Sequence, residues 1–203
     1  MRVAGWTMLT TVGLAGGLVA GLLIGMPLGE IVNAMIVTAA VTCTVGGVLG
    51  GAQAVGLRRT LRKPLWWIVA TIAGIGLGLA LGVVIVEQIG ILATGSRPNI
   101  ARLSAAMRAL SFVTVGFVAG TILGVAQWLV LRAQSAGVRH WVPASGLGLA
   151  LAFTASSLLV DLSGMRFASA AGFATFVVAS GIAFGLLTSW PLASRPAGSR
   201  LSS

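Results

Sequence analysis

Long apolar stretches separated by short polar connections make up most of the chain. Their order predicts six membrane-spanning helices, at about 6–26, 33–57, 66–87, 108–131, 141–160 and 169–190. Each is close to the roughly 20 helical residues that cross a hydrocarbon core of about 30 Å. The stretches lack the period-two alternation of membrane β-strands. The predicted fold class is therefore all-α: a polytopic membrane protein with six transmembrane helices.

Small and polar residues inside these stretches repeat at fixed offsets. A motif in the second predicted helix recurs 74 positions later in the fourth, and a weaker copy follows in the sixth. The three copies are Gly46-x-x-x-Gly50-x-x-Gln53, Gly120-x-x-x-Gly124-x-x-Gln127 and Gly181-x-x-x-Gly185-x-x-Thr188. The offset of 74 also carries Trp67 onto Trp141, and an offset of 61 carries Trp6 onto Trp67. Self-similarity of this kind indicates repeated supersecondary units.

The predicted repeat unit is a helical hairpin. A helix that begins at Trp and ends near an acidic residue is followed by a helix that ends in the Gly-x-x-x-Gly motif. The units cover about 1–63, 64–140 and 141–203 of a single membrane domain, and a disordered tail is predicted at 194–203. Because each pair of helices returns to its starting side, we expect parallel hairpins related by an axis along the membrane normal.

Composition and charge agree with a membrane protein and predict its orientation. Hydrophobic residues make up 57% of the chain and charged residues 8%. The net charge of +10 does not indicate nucleic-acid binding, because the basic residues stand at the ends of the apolar stretches and not along one groove. Nine of the thirteen lie on the side that holds both termini. The positive-inside rule then predicts cytoplasmic termini in a bacterial inner membrane. An interfacial aromatic belt is expected near that boundary from Trp66, Trp67, Trp141 and Trp190.

The chain holds three side-chain carboxylates, Glu30, Glu87 and Asp161, each following the first helix of its hairpin. Symmetry would bring them toward one end of the bundle, where neighbouring carboxylates could recruit a cation. The alternative is pairing with arginines of the same side, which contributes only about 0–1 kcal/mol per pair. Those arginines are Arg97, Arg102, Arg108 and Arg166. We favour pairing, and Asp161 with the nearby Arg166 is the first pair expected.

Gln53, Gln127 and Thr188 form a second set, at equivalent positions of the three motifs. Each glutamine lies about 7.5 Å inside the boundary marked by the next arginine, at a rise of about 1.5 Å per residue. An amide at that depth needs a protein partner because lipid offers none. Gly50 and Gly124 stand nearby on the same helix faces, which favours interhelical hydrogen bonds across close contacts. A ring that binds a polar substrate is the alternative.

Other chemistry-bearing residues are few. His140 is the only histidine, and its neutral imidazole could ligate a haem iron or a pigment metal, although a plain boundary residue is the simpler interpretation. Cys43 is the only cysteine, so no disulfide or thiolate metal site can form within one chain. No serine has a histidine–acid partner set, and no nucleotide or zinc motif occurs. We predict no catalytic residue, no metal site and no particular cofactor.

The string Gly124-Val125-Ala126-Gln127-Trp128-Leu129-Val130-Leu131-Arg132, followed by Trp141, resembles a group of uncharacterised bacterial multi-spanning membrane proteins with repeated GxxQWLVLR segments. The match is partial at 50–59, where Ala54 and Val55 replace the Trp-Leu pair, and degenerate in the sixth helix. In all, the resemblance covers about half of the chain. It implies the same topology and adds no catalytic residue.

Two functions follow from these features. The first is a non-catalytic integral membrane subunit that packs against lipids, pigments or partner helices, as in a bioenergetic or photosynthetic complex. The second is a transporter component, because six helices in about 200 residues resemble the substrate-binding subunits of energy-coupling-factor transporters. In that family small-residue surfaces on the first helix dock a partner, and Gly17-x-x-x-Gly21-x-x-x-Gly25 could serve here. The hairpin repeat is not a feature of that family.

Overall fold

The computed structural model describes residues 3–28, 34–58, 61–96, 103–133, 140–165 and 169–193. These residues form six α-helices, all long and apolar enough to span a membrane. The helices are α1 (Val3–Leu28), α2 (Ala34–Gly56), α3 (Pro64–Thr94), α4 (Ala105–Arg132), α5 (Trp141–Leu162) and α6 (Ala170–Ala193). The prediction of an all-α membrane protein with six spanning helices is confirmed. The predicted tail at 194–203 lies outside the described residues.

The predicted helix boundaries are close to the observed ones except at α3. This helix begins at Pro64, whose fixed φ and missing N–H suit a first helical position. It continues to Thr94, beyond the predicted end near Glu87. It stops where Gly95 adopts a left-handed φ of 71° and donates its N–H to the Ile91 carbonyl at 2.8 Å. Glu87 therefore lies inside α3 and not at its end.

The six helices form a closed ring. Each helix packs against its neighbours in sequence, and α1 closes the ring by packing against α6. Apolar core residues line the inside of the ring, while many large apolar side chains, such as Leu77 and Leu151, stay exposed on the outside. An outer surface of that kind suits contact with lipid, where exposed hydrocarbon carries no penalty.

Glycines allow the close approach of neighbouring helices within a hairpin. A Cβ added to Gly17 would lie 2.9 Å from the Val45 Cα, and one added to Gly78 would lie 2.6 Å from the Ala119 Cα. Both contacts are to backbone, so the helices could not stay at this separation with a larger residue. Without a hydrophobic driving force between helices in lipid, such close packing is a main source of association.

The Gly-x-x-x-Gly motifs of α2, α4 and α6 make the contacts between hairpins. Gly50 packs against Thr71 of α3, and Gly124 packs against Ser145 of α5. These two contacts are related by the sequence offset of 74. Gly185 packs in the same way against α1, at the Thr7 Cα. The recurrence is compatible with three hairpin repeats around a common axis.

The two ends of the ring differ in chemistry. At one end, which we call the tryptophan end, the Trp6, Trp67 and Trp141 side chains meet on the ring axis. Toward the other end, the rings of Phe112, Phe153 and Phe176 pack together with centroids 5.2–6.5 Å apart.

Candidate functional site

Three tryptophans, one from each predicted hairpin unit, form one cluster. Trp141 makes edge-to-face contacts with Trp6 and Trp67, with ring centroids 5.9 Å and 5.7 Å apart. All three side chains are at most 1% exposed. The interfacial-belt prediction is therefore wrong for Trp67 and Trp141, because these indoles face the ring axis and not the lipid headgroups. Trp66, which is 59% exposed, does have the exposure of a belt residue.

Hydrogen bonds join this cluster to the predicted polar set. Trp141 Nε1 donates to Gln127 Oε1 at 3.1 Å, and Trp6 Nε1 donates to Thr188 Oγ1 at 2.9 Å. Gln127 Nε2 donates to Gln53 Oε1 at 3.2 Å and to Thr71 Oγ1 at 3.0 Å. The structure thus places all three predicted polar residues together, in contact across helices. We call this set the polar layer: Trp6, Trp67, Trp141, Gln53, Gln127, Thr188 and Thr71.

A row of hydroxyls lies one helical turn inside the tryptophans. Thr10, Thr71 and Ser145 each stand four residues after a tryptophan, so they share its helix face about 6 Å farther along. All three are fully buried. Thr71 Oγ1 donates to the Trp67 carbonyl at 2.9 Å and accepts from Gln127. Thr10 Oγ1, Ser145 Oγ and Trp67 Nε1 have no hydrogen-bond partner among the described residues.

Beyond the hydroxyls the ring contains a partly open apolar cavity of about 220 Å³. All six helices line it, so it lies on the ring axis. Its walls at the tryptophan end are Leu14, Leu49, Ile75, Leu123, Leu149 and Phe184. Thr42 and Ser180 supply the only hydroxyls of the described lining, and no ionisable side chain is part of it. The Ser180 hydroxyl donates to Ser156 Oγ at 3.0 Å.

The cavity owes its width to small residues at equivalent motif positions. Val45, Ala119 and Ser180 all precede their polar-layer residue by eight positions, and all three line the cavity. The large residues Leu49, Leu123 and Phe184 fill the layer nearer the tryptophans. The space therefore opens where three helices present short side chains toward one axis.

The physical chemistry of this cavity favours an apolar occupant. Purely apolar cavities of about 150 Å³ stay dry and accept benzene or xenon. An unfilled apolar cavity lowers stability because its lining lacks contacts, so an apolar occupant would stabilise the ring. By proportion to benzene, the space suits a molecule of roughly nine non-hydrogen atoms or the end of a hydrocarbon chain.

The predicted carboxylate cluster is placed only in part. Asp161 accepts from Arg108 Nη2, with distances of 3.1 Å and 3.2 Å to its two oxygens. Arg108 in the first turn of α4 faces the last turn of α5, which brings the two side chains together. The expected pairing of Asp161 with Arg166 concerns a residue outside those described and stays a prediction. Glu87 lies half-buried in α3. Glu30, Arg97, Arg102 and Arg166 lie outside the described residues, and within those described no group of three metal-ligating side chains occurs.

His140 and Cys43 lie away from the cavity. His140 is exposed and occupies the N-cap position of α5, where its side chain forms no capping hydrogen bond. Its backbone carbonyl accepts from the Ala144 N–H at 3.0 Å. Cys43 is exposed on the outer face of α2. Neither side chain lines the candidate site, and haem or pigment ligation by His140 stays a prediction.

Sequence reasoning missed the hydroxyl row and the cavity. The offsets of 61 and 74 that relate the tryptophans also relate Thr10, Thr71 and Ser145. A search of every repeat position would therefore have found the hydroxyls. The sequence indicates the cavity only weakly, because Val45, Ala119 and Ser180 differ in residue type and have in common only short side chains.

Comparison with known protein families, characterised proteins and solved structures gives no match to this chain, so the resemblance to GxxQWLVLR proteins stays a prediction.

Proposed function

We propose that this integral membrane protein is a non-catalytic binding subunit that holds a small apolar molecule inside its helical ring. The cavity of about 220 Å³ on the ring axis carries the proposal. Its lining of aliphatic and phenyl groups would stabilise a bound hydrocarbon by van der Waals contact. The described lining contains no ionisable side chain that could act as a general acid or base. A terpenoid fragment or a lipid-chain end has the matching size and polarity.

The polar layer would close the site at the tryptophan end. Three buried indoles span the axis there, and hydrogen bonds to Gln127 and Thr188 hold two of them in fixed orientation. Bulky side chains held in this way leave an occupant little access from that side. Entry from the opposite end, where the aromatic cluster lies, is part of the proposal.

Docking to partner helices receives less support than the cavity. Gly17 and Gly21, which the transporter alternative would use for docking, pack against Val45 and Val41 of α2. The motif glycines of α2, α4 and α6 are likewise occupied by neighbouring helices of the same chain. Membership of a larger complex is kept as a proposal, with pull-down from native membranes as its test.

Cavity-filling variants test the binding role. Ala119→Leu adds three carbons at a side chain that lines the cavity and is 1% exposed. Ala174→Leu, on the exposed face of α6, makes the same chemical change outside the ring. Each protein is purified in native lipid nanodiscs, and its organic extract is quantified by mass spectrometry.

We expect an apolar compound in equimolar amount with the wild type and with Ala174→Leu, and its loss from Ala119→Leu. Because the larger side chain fills the space itself, the Ala119→Leu variant is expected to unfold at a temperature equal to or above that of the wild type. Identical extracts from all three proteins would contradict the proposal.

A further inference from the structure

A second cavity, of about 470 Å³, lies at the tryptophan end on the outside of the ring. It is formed where the start of α3 meets the end of α4. Its lining consists of Arg62, Lys63, Trp66, Leu129, Val130 and Ala133. We call it the basic pocket. We propose that the basic pocket binds the headgroup of an anionic phospholipid. This inference goes beyond the proposed function and is independent of the axial cavity.

The lining of the basic pocket matches the three parts of a phospholipid. Arg62 and Lys63 are exposed cations placed to contact a phosphate. Trp66 is 59% exposed, and an indole there suits the boundary between headgroups and acyl chains. Leu129, which is 45% exposed, continues the lining with an apolar surface for the start of an acyl chain.

The charge distribution along the chain favours an anionic ligand at this end. Glu87 and Asp161, the carboxylates among the described residues, stand 20 residues after Trp67 and Trp141. At about 1.5 Å per residue they lie roughly 30 Å away from the tryptophan end. Arg58 and Arg132 add two further exposed cations there. The positive potential of this end is therefore not offset by described carboxylates, and basic pockets between helices attract anionic headgroups.

A lipid explains the pocket better than a soluble anion would. A free phosphate would contact only the two cations. It has no apolar group that could pack against Leu129 and Val130, whereas a phospholipid has acyl chains that could. Trp66 shares the lining with both the cations and these aliphatic residues, a combination that suits the boundary between headgroups and acyl chains.

Lipid retention measured by native mass spectrometry tests the assignment. The full chain is released from nanodiscs that contain equal amounts of phosphatidylglycerol and phosphatidylcholine. The test variant is Arg62→Gln with Lys63→Gln. The matched control is Arg58→Gln with Arg132→Gln, which removes the same charge from the same end at residues outside the pocket lining. A third variant, Ala133→Trp, narrows the pocket without changing charge.

We expect the wild type to retain phosphatidylglycerol in preference to phosphatidylcholine. The test variant should lose at least about tenfold of that preference, since each basic residue near an anionic surface contributes measurably to binding. The control should stay within about twofold of the wild type, and Ala133→Trp should also retain less phosphatidylglycerol.

Three results would overturn the assignment: equal retention of both lipids by the wild type, an equal loss in the control, or unchanged retention in Ala133→Trp. The first would remove selection by headgroup charge. An equal loss in the control would mean that the preference for phosphatidylglycerol depends only on the total charge of this end. Unchanged retention in Ala133→Trp would mean that the lipid binds outside the basic pocket. None of these results bears on the axial cavity, whose test uses different residues.

Discussion

Gln127 Nε2 donates a hydrogen bond to Gln53 Oε1 over 3.2 Å, so two copies of one sequence motif bind each other inside the ring. Both side chains are at most 1% exposed. Gln127 also accepts from Trp141 and donates to Thr71, which makes it the centre of the polar layer. The two motif copies thus join α2 and α4 directly, at a depth where lipid offers no alternative partner.

Replacing Gln127 by Leu is expected to destabilise the fold more than the same change at Gln53. Gln127→Leu removes three hydrogen bonds and leaves the Trp141 N–H buried without an acceptor. A buried group left without its partner costs about 1–3 kcal/mol, which lowers the unfolding temperature by roughly 2–12 °C for a chain of this size. Thermal unfolding in one detergent, followed by tryptophan fluorescence, measures both variants. Equal losses would contradict the central role of Gln127.

Gly78→Ala is expected to destabilise the contact between α3 and α4, whereas Gly76→Ala two positions away should not. The new Cβ at Gly78 would lie 2.6 Å from the Ala119 Cα, a backbone atom that cannot rotate away. At Gly76 the nearest atom is the Thr42 Cγ2 at 3.7 Å, an ordinary contact. Overpacking of this kind costs about 1–3 kcal/mol. The unfolding temperatures of the two variants are compared. Similar values would contradict a close contact between α3 and α4 at Gly78.

The ion pair between Arg108 and Asp161 should contribute little to stability. Their side chains are 18% and 26% exposed, and the closest N–O distance is 3.1 Å. Ion pairs that keep access to solvent are worth about 0–1 kcal/mol. A double-mutant cycle with Arg108→Gln and Asp161→Asn should give a coupling energy in that range. A coupling well above it would mean that the pair lies in a water-poor environment.

Cysteine labelling can test the predicted orientation. In a Cys43→Ala background, Ala133→Cys reports on the tryptophan end and Ser96→Cys on the connection after α3; both positions are exposed. If the termini are cytoplasmic, a membrane-impermeant maleimide should label the cysteine at 96 in intact cells and the one at 133 only after lysis. The reverse pattern would contradict the orientation deduced from the basic residues.

The sequence by itself determined the membrane class, the number of helices and three of the residues that meet in the polar layer. The length of the apolar stretches was enough for the class and the helix number, because backbone groups in lipid must form internal hydrogen bonds and few folds allow this. The repeated motif was enough for the three residues, because equivalent motif positions lie at equivalent depths. Gln53, Gln127 and Thr188 were accordingly found in one layer.

Only the tertiary structure decided which way these residues face and what the ring encloses. Trp67 and Trp141 carry the sequence features of boundary residues, yet in the ring both indoles are buried and contact each other. Asp161 pairs with Arg108, 53 positions away in sequence, because α4 packs on α5. The cavity arises because Val45, Ala119 and Ser180 point toward one line. Side-chain direction depends on helix rotation within the ring, which is set by the close glycine contacts between helices and not by local sequence.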